Sequence, residues 1–109
     1  MDTKESKMRA AVRERGKIVF KSLYDIPVCP SGNVRVRIKA AAINRADYKA
    51  PKIILGTGVG LDFSGVVESV GGNINQFKVG DEVYGKVKGS LADFALANPD
   101  IQGISLCLE

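Results

Sequence analysis

The sequence predicts a small, mainly β domain, and three observations carry that expectation. Segments rich in β-branched residues recur at short intervals, as in Phe63-Ser64-Gly65-Val66-Val67 and Glu82-Val83-Tyr84. Turn chemistry separates them, in Gly71-Gly72-Asn73, Val79-Gly80-Asp81 and Asn98-Pro99-Asp100. Residues 34–40 alternate strictly, with Val34, Val36, Ile38 and Ala40 on one face and Arg35, Arg37 and Lys39 on the other. That is the pattern of a half-buried antiparallel strand. Several short strands at this spacing fit a barrel or a sandwich.

Taken in order, residues 1–7 are polar and are expected to form a flexible N-terminus. Met8-Arg9-Ala10-Ala11-Val12-Arg13 reads as a strand that Gly16 turns back into Ile18-Val19-Phe20, a hairpin. Pro27, Pro30 and Gly32 break the next stretch, giving a loop over residues 25–33. After the alternating strand, Ile43 leads into Asn44-Arg45-Ala46-Asp47-Tyr48. Here Asn44 fits the cap of a single helical turn, with Asp47 in its electropositive first turn. Pro51 stops any helix, and Gly56, Gly58 and Gly60 make a flexible approach to the strand over residues 63–70. Gly71, Gly72 and Asn73 are expected to reverse the chain through positive φ. Leu91-Ala92-Asp93-Phe94-Ala95-Leu96 reads as a further strand. Residues 101–109 are apolar enough to pair but have no place of their own.

A chain of 109 residues makes one domain, and 45% hydrophobic with 26% charged residues is an ordinary globular composition. Residues 1–21 hold seven basic groups against three acids, which accounts for the whole net charge of +4. Those charges are interleaved and lack aromatic stacking partners, so nucleic acid is not the expected partner. No apolar run has the length of a membrane span and the polar opening leads into no signal segment, so the expected address is cytoplasmic and not membrane-bound. Cys29 and Cys107 have no short-spaced partner and are expected as free thiols.

The sequence contains no histidine, which excludes Ser-His-Asp and Cys-His devices and any His-ligated zinc. Gly56-Thr57-Gly58-Val59-Gly60 lacks the Lys-Ser/Thr ending and the βαβ frame of a phosphate loop. The polar candidates that remain are Asn44, Asp47, Tyr48, Asp62 and Asp81. Asp81 after Gly80 suits the bonding of turn amides. Asp62, between Leu61 and Phe63, reads as a buried carboxylate that needs either a structural partner or a ligand. Asp47 suits a helix dipole or a direct chemical role. Tyr48 is a candidate proton donor or ligand-stacking wall, and the Asn44 amide, able to donate and accept, fits a site and a helix cap equally.

In order along the chain, Arg35-Val36-Arg37-Ile38-Lys39-Ala40-Ala41, Ile43-Asn44-Arg45-Ala46-Asp47-Tyr48, Gly60-Leu61-Asp62-Phe63-Ser64-Gly65-Val66-Val67, Phe77-Lys78-Val79-Gly80-Asp81-Glu82-Val83-Tyr84-Gly85 and Gly89-Ser90-Leu91-Ala92-Asp93-Phe94 resemble the GroES-like N-terminal domain of the medium-chain dehydrogenase/reductase superfamily. The nearest branch is that of the zinc-independent quinone oxidoreductases. The resemblance implies a GroES-like partly open β-barrel with one or two short helical turns over residues 8–98, followed by a divergent tail over residues 99–109.

In whole enzymes of this kind the barrel is the substrate side of a cleft whose other wall is an NAD(P)-binding Rossmann domain. Zinc-dependent relatives carry cysteine where this chain has Asn44 and histidine where it has Leu61, so the resemblance implies no metal. It implies catalytic roles for Asn44, Asp47 and Tyr48, cofactor contacts from Asn44, Tyr48 and Asp62, and hydride transfer from NADPH to a quinone or an enone. The stretch between Tyr48 and Gly60 is shorter than the family's usual loop. The 109 residues end before any Rossmann unit, so the expectation is a domain that is inactive alone and does not hold NADPH tightly. The alternative, from a different class, is a protein-interaction module on the same barrel, associating with itself or a partner through exposed strand edges.

Overall fold

The computed structural model describes residues 7–42, 59, 60, 62–87, 89–99 and 103–107. Among the described residues seven strands follow one another: β1 (Lys7–Glu14), β2 (Lys17–Asp25), β3 (Val34–Ala42), β4 (Asp62–Val70), β5 (Glu82–Lys86), β6 (Phe94–Ala97) and β7 (Ile104–Leu106). Among the described residues there is no helix, and none therefore that is long and apolar enough to cross a membrane. The expected helical turn at Asn44 lies outside the described residues. β1 and β2 form a two-stranded sheet, and the other five form an antiparallel sheet in the order β6-β3-β4-β5-β7. The two sheets meet at a bridge between Ala10 and Ala92 without closing into a full barrel.

The β1–β2 hairpin turns through Arg15 (φ 51°) and Gly16 (φ 77°), the left-handed pair that a two-residue hairpin of matching twist requires. Its inward side chains Met8, Ala10 and Val12 form a small core with Ile26, Ala92 and Phe94. The main core joins Val34 and Val36 of β3 to Phe63 and Val67 of β4, Val83 of β5, Val87, and Ala95 and Ala97 of β6. Apart from Phe63, these are β-branched and small residues, which suit a pleated, half-buried sheet face.

Bulges decide which side chains meet. On β4, Val67 and Val70 both face inward, opposite Val36 and Val34, because the register slips by one between them. The extra residue puts Glu68 and Ser69 together on the outer face, beside Arg35. There the Arg35 guanidinium donates to both Glu68 carboxylate oxygens (2.6 and 3.1 Å), to Ser69 Oγ (3.2 Å) and, through its other amino group, to the Pro27 carbonyl (2.8 Å). It also stands 5.7 Å from the centre of the Phe94 ring. A second slip, between Ile38 and Ala40, breaks the expected alternation: Ala40 turns outward opposite Ser64, and Ala41 turns inward opposite Phe63.

Other sequence expectations are met with differences of detail. The strand expected over residues 91–96 is formed only at Phe94–Ala97, because residues 91–93 instead cross to β1. In the reversal after β4 only Asn73 takes a positive φ (71°). Gly71 serves by smallness, since a Cβ there would fall 2.0 Å from the Pro30 carbonyl oxygen. Asp81 accepts from the Lys78 amide at 3.0 Å, as its place in the turn suggests. β7 gives the tail a place beside β5, and both cysteines are free thiols.

Candidate active-site cleft

The end of β3 and the start of β4 run side by side, Ala40 to Ala42 against Ser64 to Asp62, and enclose a shallow mouth of about 320 Å³. The backbone leading into it is fixed from outside the sheet. The Leu91 amide donates to the Val59 carbonyl (2.8 Å), the Gly89 amide to the Gly60 carbonyl (3.0 Å), and the Ser90 hydroxyl to the Asp62 carbonyl (2.9 Å). Ser90 is completely buried, and its hydroxyl is satisfied by that one backbone oxygen. Gly60, at φ 95°, lies so close that a Cβ would sit 2.4 Å from Ser90 Oγ and 2.7 Å from the Leu91 nitrogen.

Of the candidates taken from sequence, Asp62 stands at this mouth. Its side chain is 40% exposed, with Lys86 Nζ 3.9 Å away, so it is not the buried carboxylate that its apolar neighbours suggest. It is the first residue of β4, and Lys86 stands opposite it on β5. Asn44, Asp47, Tyr48 and Leu61 lie outside the described residues, as do Gly56 to Gly58.

Beside the mouth runs a larger groove of about 560 Å³ floored by small side chains, Ala10, Ala11, Ala41, Ser90 and Ala92, with Phe20, Lys21 and Lys39 at its rim. Its end is clasped by Arg9 and Asp93. The Arg9 backbone amide donates to Asp93 Oδ2 (2.8 Å), its Nε to the same oxygen (3.2 Å) and a terminal nitrogen to Oδ1 (3.0 Å). Backbone bonds from the Asp93 amide to the Arg9 carbonyl and from the Ala11 amide to the Leu91 carbonyl (2.9 Å each) complete the seam between the sheets. Sequence reasoning missed Ser90, which reads as one more turn residue after Gly89. It also missed the Arg9–Asp93 clasp, whose partners are 84 residues apart with no local signal.

Both carboxylates in these networks are held below the usual range, Glu68 by the hydrogen bonds from Arg35 and Asp93 by those from Arg9. A depressed acid contributes stability that is complete above its unfolded pKa and is lost as pH falls through the folded one. Stability is therefore expected to hold from neutral pH down to the ordinary carboxylate values of 3.8 to 4.5 and to fall below them. Glu68→Gln should be less stable than wild type at neutral pH and converge with it in acid, read from urea midpoints. A gap that stays constant with pH would remove the pair from the acid response.

Among the described residues no group of three or more Cys, Asp or Glu side chains is placed to hold a metal ion. Residues 30–100 match the family described as the alcohol dehydrogenase GroES-like domain. The chain belongs to this family. It is 39% identical over 88 residues to the trans-enoyl reductase grgB of a Penicillium species, covering 71% of this chain and 25% of that protein. It is 36% identical over 83 residues to the quinone oxidoreductase of Mus musculus, covering 69% and 25%. These relatives are quinone and enoyl reductases of the medium-chain dehydrogenase/reductase superfamily. The GroES-like chain thus spans about a quarter of the length of either relative. Among solved structures, the quinone oxidoreductase from Coxiella burnetii superposes with a TM-score of 0.74 at 26% identity, over 94% of this chain and 37% of that one. A quinone oxidoreductase of Pseudomonas syringae shares the fold with a TM-score of 0.80 at 21% identity, over 94% and 34%.

Proposed function

We propose that this GroES-like chain is the substrate-side domain of a cytoplasmic, zinc-independent, NADPH-dependent oxidoreductase that reduces a quinone or an enone. The observation that supports this reading most is the family match, together with the likeness to a quinone oxidoreductase and a trans-enoyl reductase. Zinc independence is supported by the ligand chemistry, since the chain has no histidine and offers Asn44 and Leu61 where zinc-dependent relatives place cysteine and histidine.

The mouth between β3 and β4 fits one end of a cofactor: about 320 Å³ is at the lower limit for small-molecule pockets, enough for a ring and too little for a dinucleotide. NADPH, when bound, supplies the hydride. The chain's own work is to hold the acceptor and manage charge and proton. We assign to the Asn44 amide a hydrogen bond to the acceptor carbonyl, where negative charge develops, and to the Tyr48 hydroxyl the proton that completes the reduction. Asp47 is assigned to orienting these two, and Asp62, held from behind by Ser90, to a polar contact at the cofactor end of the mouth.

Titration of the chain with NADPH, followed by backbone amide NMR, is expected to move Ala40, Ala41, Ala42, Asp62, Phe63 and Ser64 at millimolar ligand, without tight binding. Asn44→Ala should abolish the shifts. Unchanged spectra at millimolar NADPH would reject the assignment.

A further inference from the structure

We propose that β2 is a self-association strand, pairing antiparallel with β2 of a second copy of this chain through its outer edge. Among the described residues no strand pairs with that edge, which is nine residues long. A bulge shapes it. Lys21 lies opposite Ala10 and Tyr24 opposite Met8, so both side chains share the face of the small core. The extra residue between them brings Phe20 and Leu23 to the other face, where they are 77% and 69% exposed.

The charges that commonly guard an edge strand are drawn away from it. Lys21 is bonded to Glu14 of β1 at 2.7 Å, and Asp25 is bonded to Lys7 of β1. What remains along the middle of the edge is apolar and self-complementary. A two-fold axis through the Lys21-Ser22 peptide sets Phe20 of each copy opposite Leu23 of the other, and Val19 opposite Tyr24, so the same contact forms twice.

Area sets the strength. The exposed parts of Phe20 and Leu23 from two copies, with the edge backbone, amount to several hundred Å², below the roughly 1,000 Å² of a stable interface. The dimer is therefore weak, forming in the upper micromolar range, and produces a continuous four-stranded sheet from two hairpins.

Sedimentation velocity of the 109-residue chain over a concentration series tests this with two variants. Phe20→Glu and Leu23→Lys each place a charge against an apolar partner in both of the symmetry-related contacts and should weaken self-association about tenfold or more. Mixed in equal amounts, they should recover association as a heterodimer, because the pairing sets the new glutamate opposite the new lysine and leaves the second Phe20–Leu23 contact intact. Recovery also shows that both variants are folded. A wild-type chain that stays monomeric to millimolar concentration overturns the proposal. So does association that survives either variant, or a mixture that stays monomeric while wild type associates.

Discussion

Replacing Gly60 with alanine is expected to lower stability by roughly 3 kcal/mol or more and to remove NADPH-induced shifts at the mouth. The added methyl meets two obstacles at once. It must adopt φ 95°, which side chains avoid, and it falls 2.7 Å from the Leu91 backbone nitrogen as well as 2.4 Å from Ser90 Oγ. The hydroxyl of Ser90 can rotate, but the Leu91 amide is tied to the Val59 carbonyl, so relief requires residues 59–62 to separate from residues 89–91. Asp62 would move with them. Ser90→Ala serves as the comparison, since it deletes only the bond to the Asp62 carbonyl and should cost about 1 kcal/mol. Urea unfolding of the two variants checks the ranking, and equal losses would show that the close approach at Gly60 is not a constraint.

Arg35→Ala is expected to cost roughly 2 to 4 kcal/mol and to loosen residues 26–33 before the rest of the domain. One guanidinium here bonds Glu68 through two atoms, Ser69, and the carbonyl of Pro27, while lying near the Phe94 ring. Its side chain is only 21% exposed and that of Glu68 28%, so solvent screens the pair less than it would a surface pair. Removing Arg35 leaves Glu68 with Ser69 as its remaining bonded partner and frees the Pro27 carbonyl. Glu68→Gln, which keeps the shape and part of the bonding, should lose less than half as much. Hydrogen exchange of the residue 26–33 amides locates the loss; uniform acceleration across all strands would contradict a local role for Arg35.

The strands were legible because their patterns are local. Val34, Val36 and Ile38 alternate with charges, and Gly16 stands where a two-residue hairpin needs it. The bulges were not, because a slip of one residue changes no composition. Ala40 was therefore expected inside and is outside, and nothing near Glu68 in sequence foretold that it and Ser69 would share a face with Arg35. The candidate site was legible only as a neighbourhood. Its polar residues cluster at Asn44 to Tyr48, yet the groups that hold the mouth, Ser90 and Gly60, act by burial and close approach. Asp62 was expected to need a partner and has one in Lys86, but that partner comes from the neighbouring strand and the 40% exposure of the carboxylate does not follow from apolar neighbours in sequence.

The slip at Lys39 gives the domain a particular tolerance to genetic change. Because one extra residue in β3 turns the strand over before it reaches Ala42, which of its last side chains face Phe63 is a matter of counting. Substitutions at the exposed position 39 should pass almost unnoticed. An insertion or deletion of a single codon there would turn the end of the strand over, taking Ala41 away from Phe63 and bringing Ala40 or Ala42 inward in its place. Drift among proteins of this shape should then accumulate point changes along β3 while keeping its length constant, and length changes should be found on the far side of Ala42.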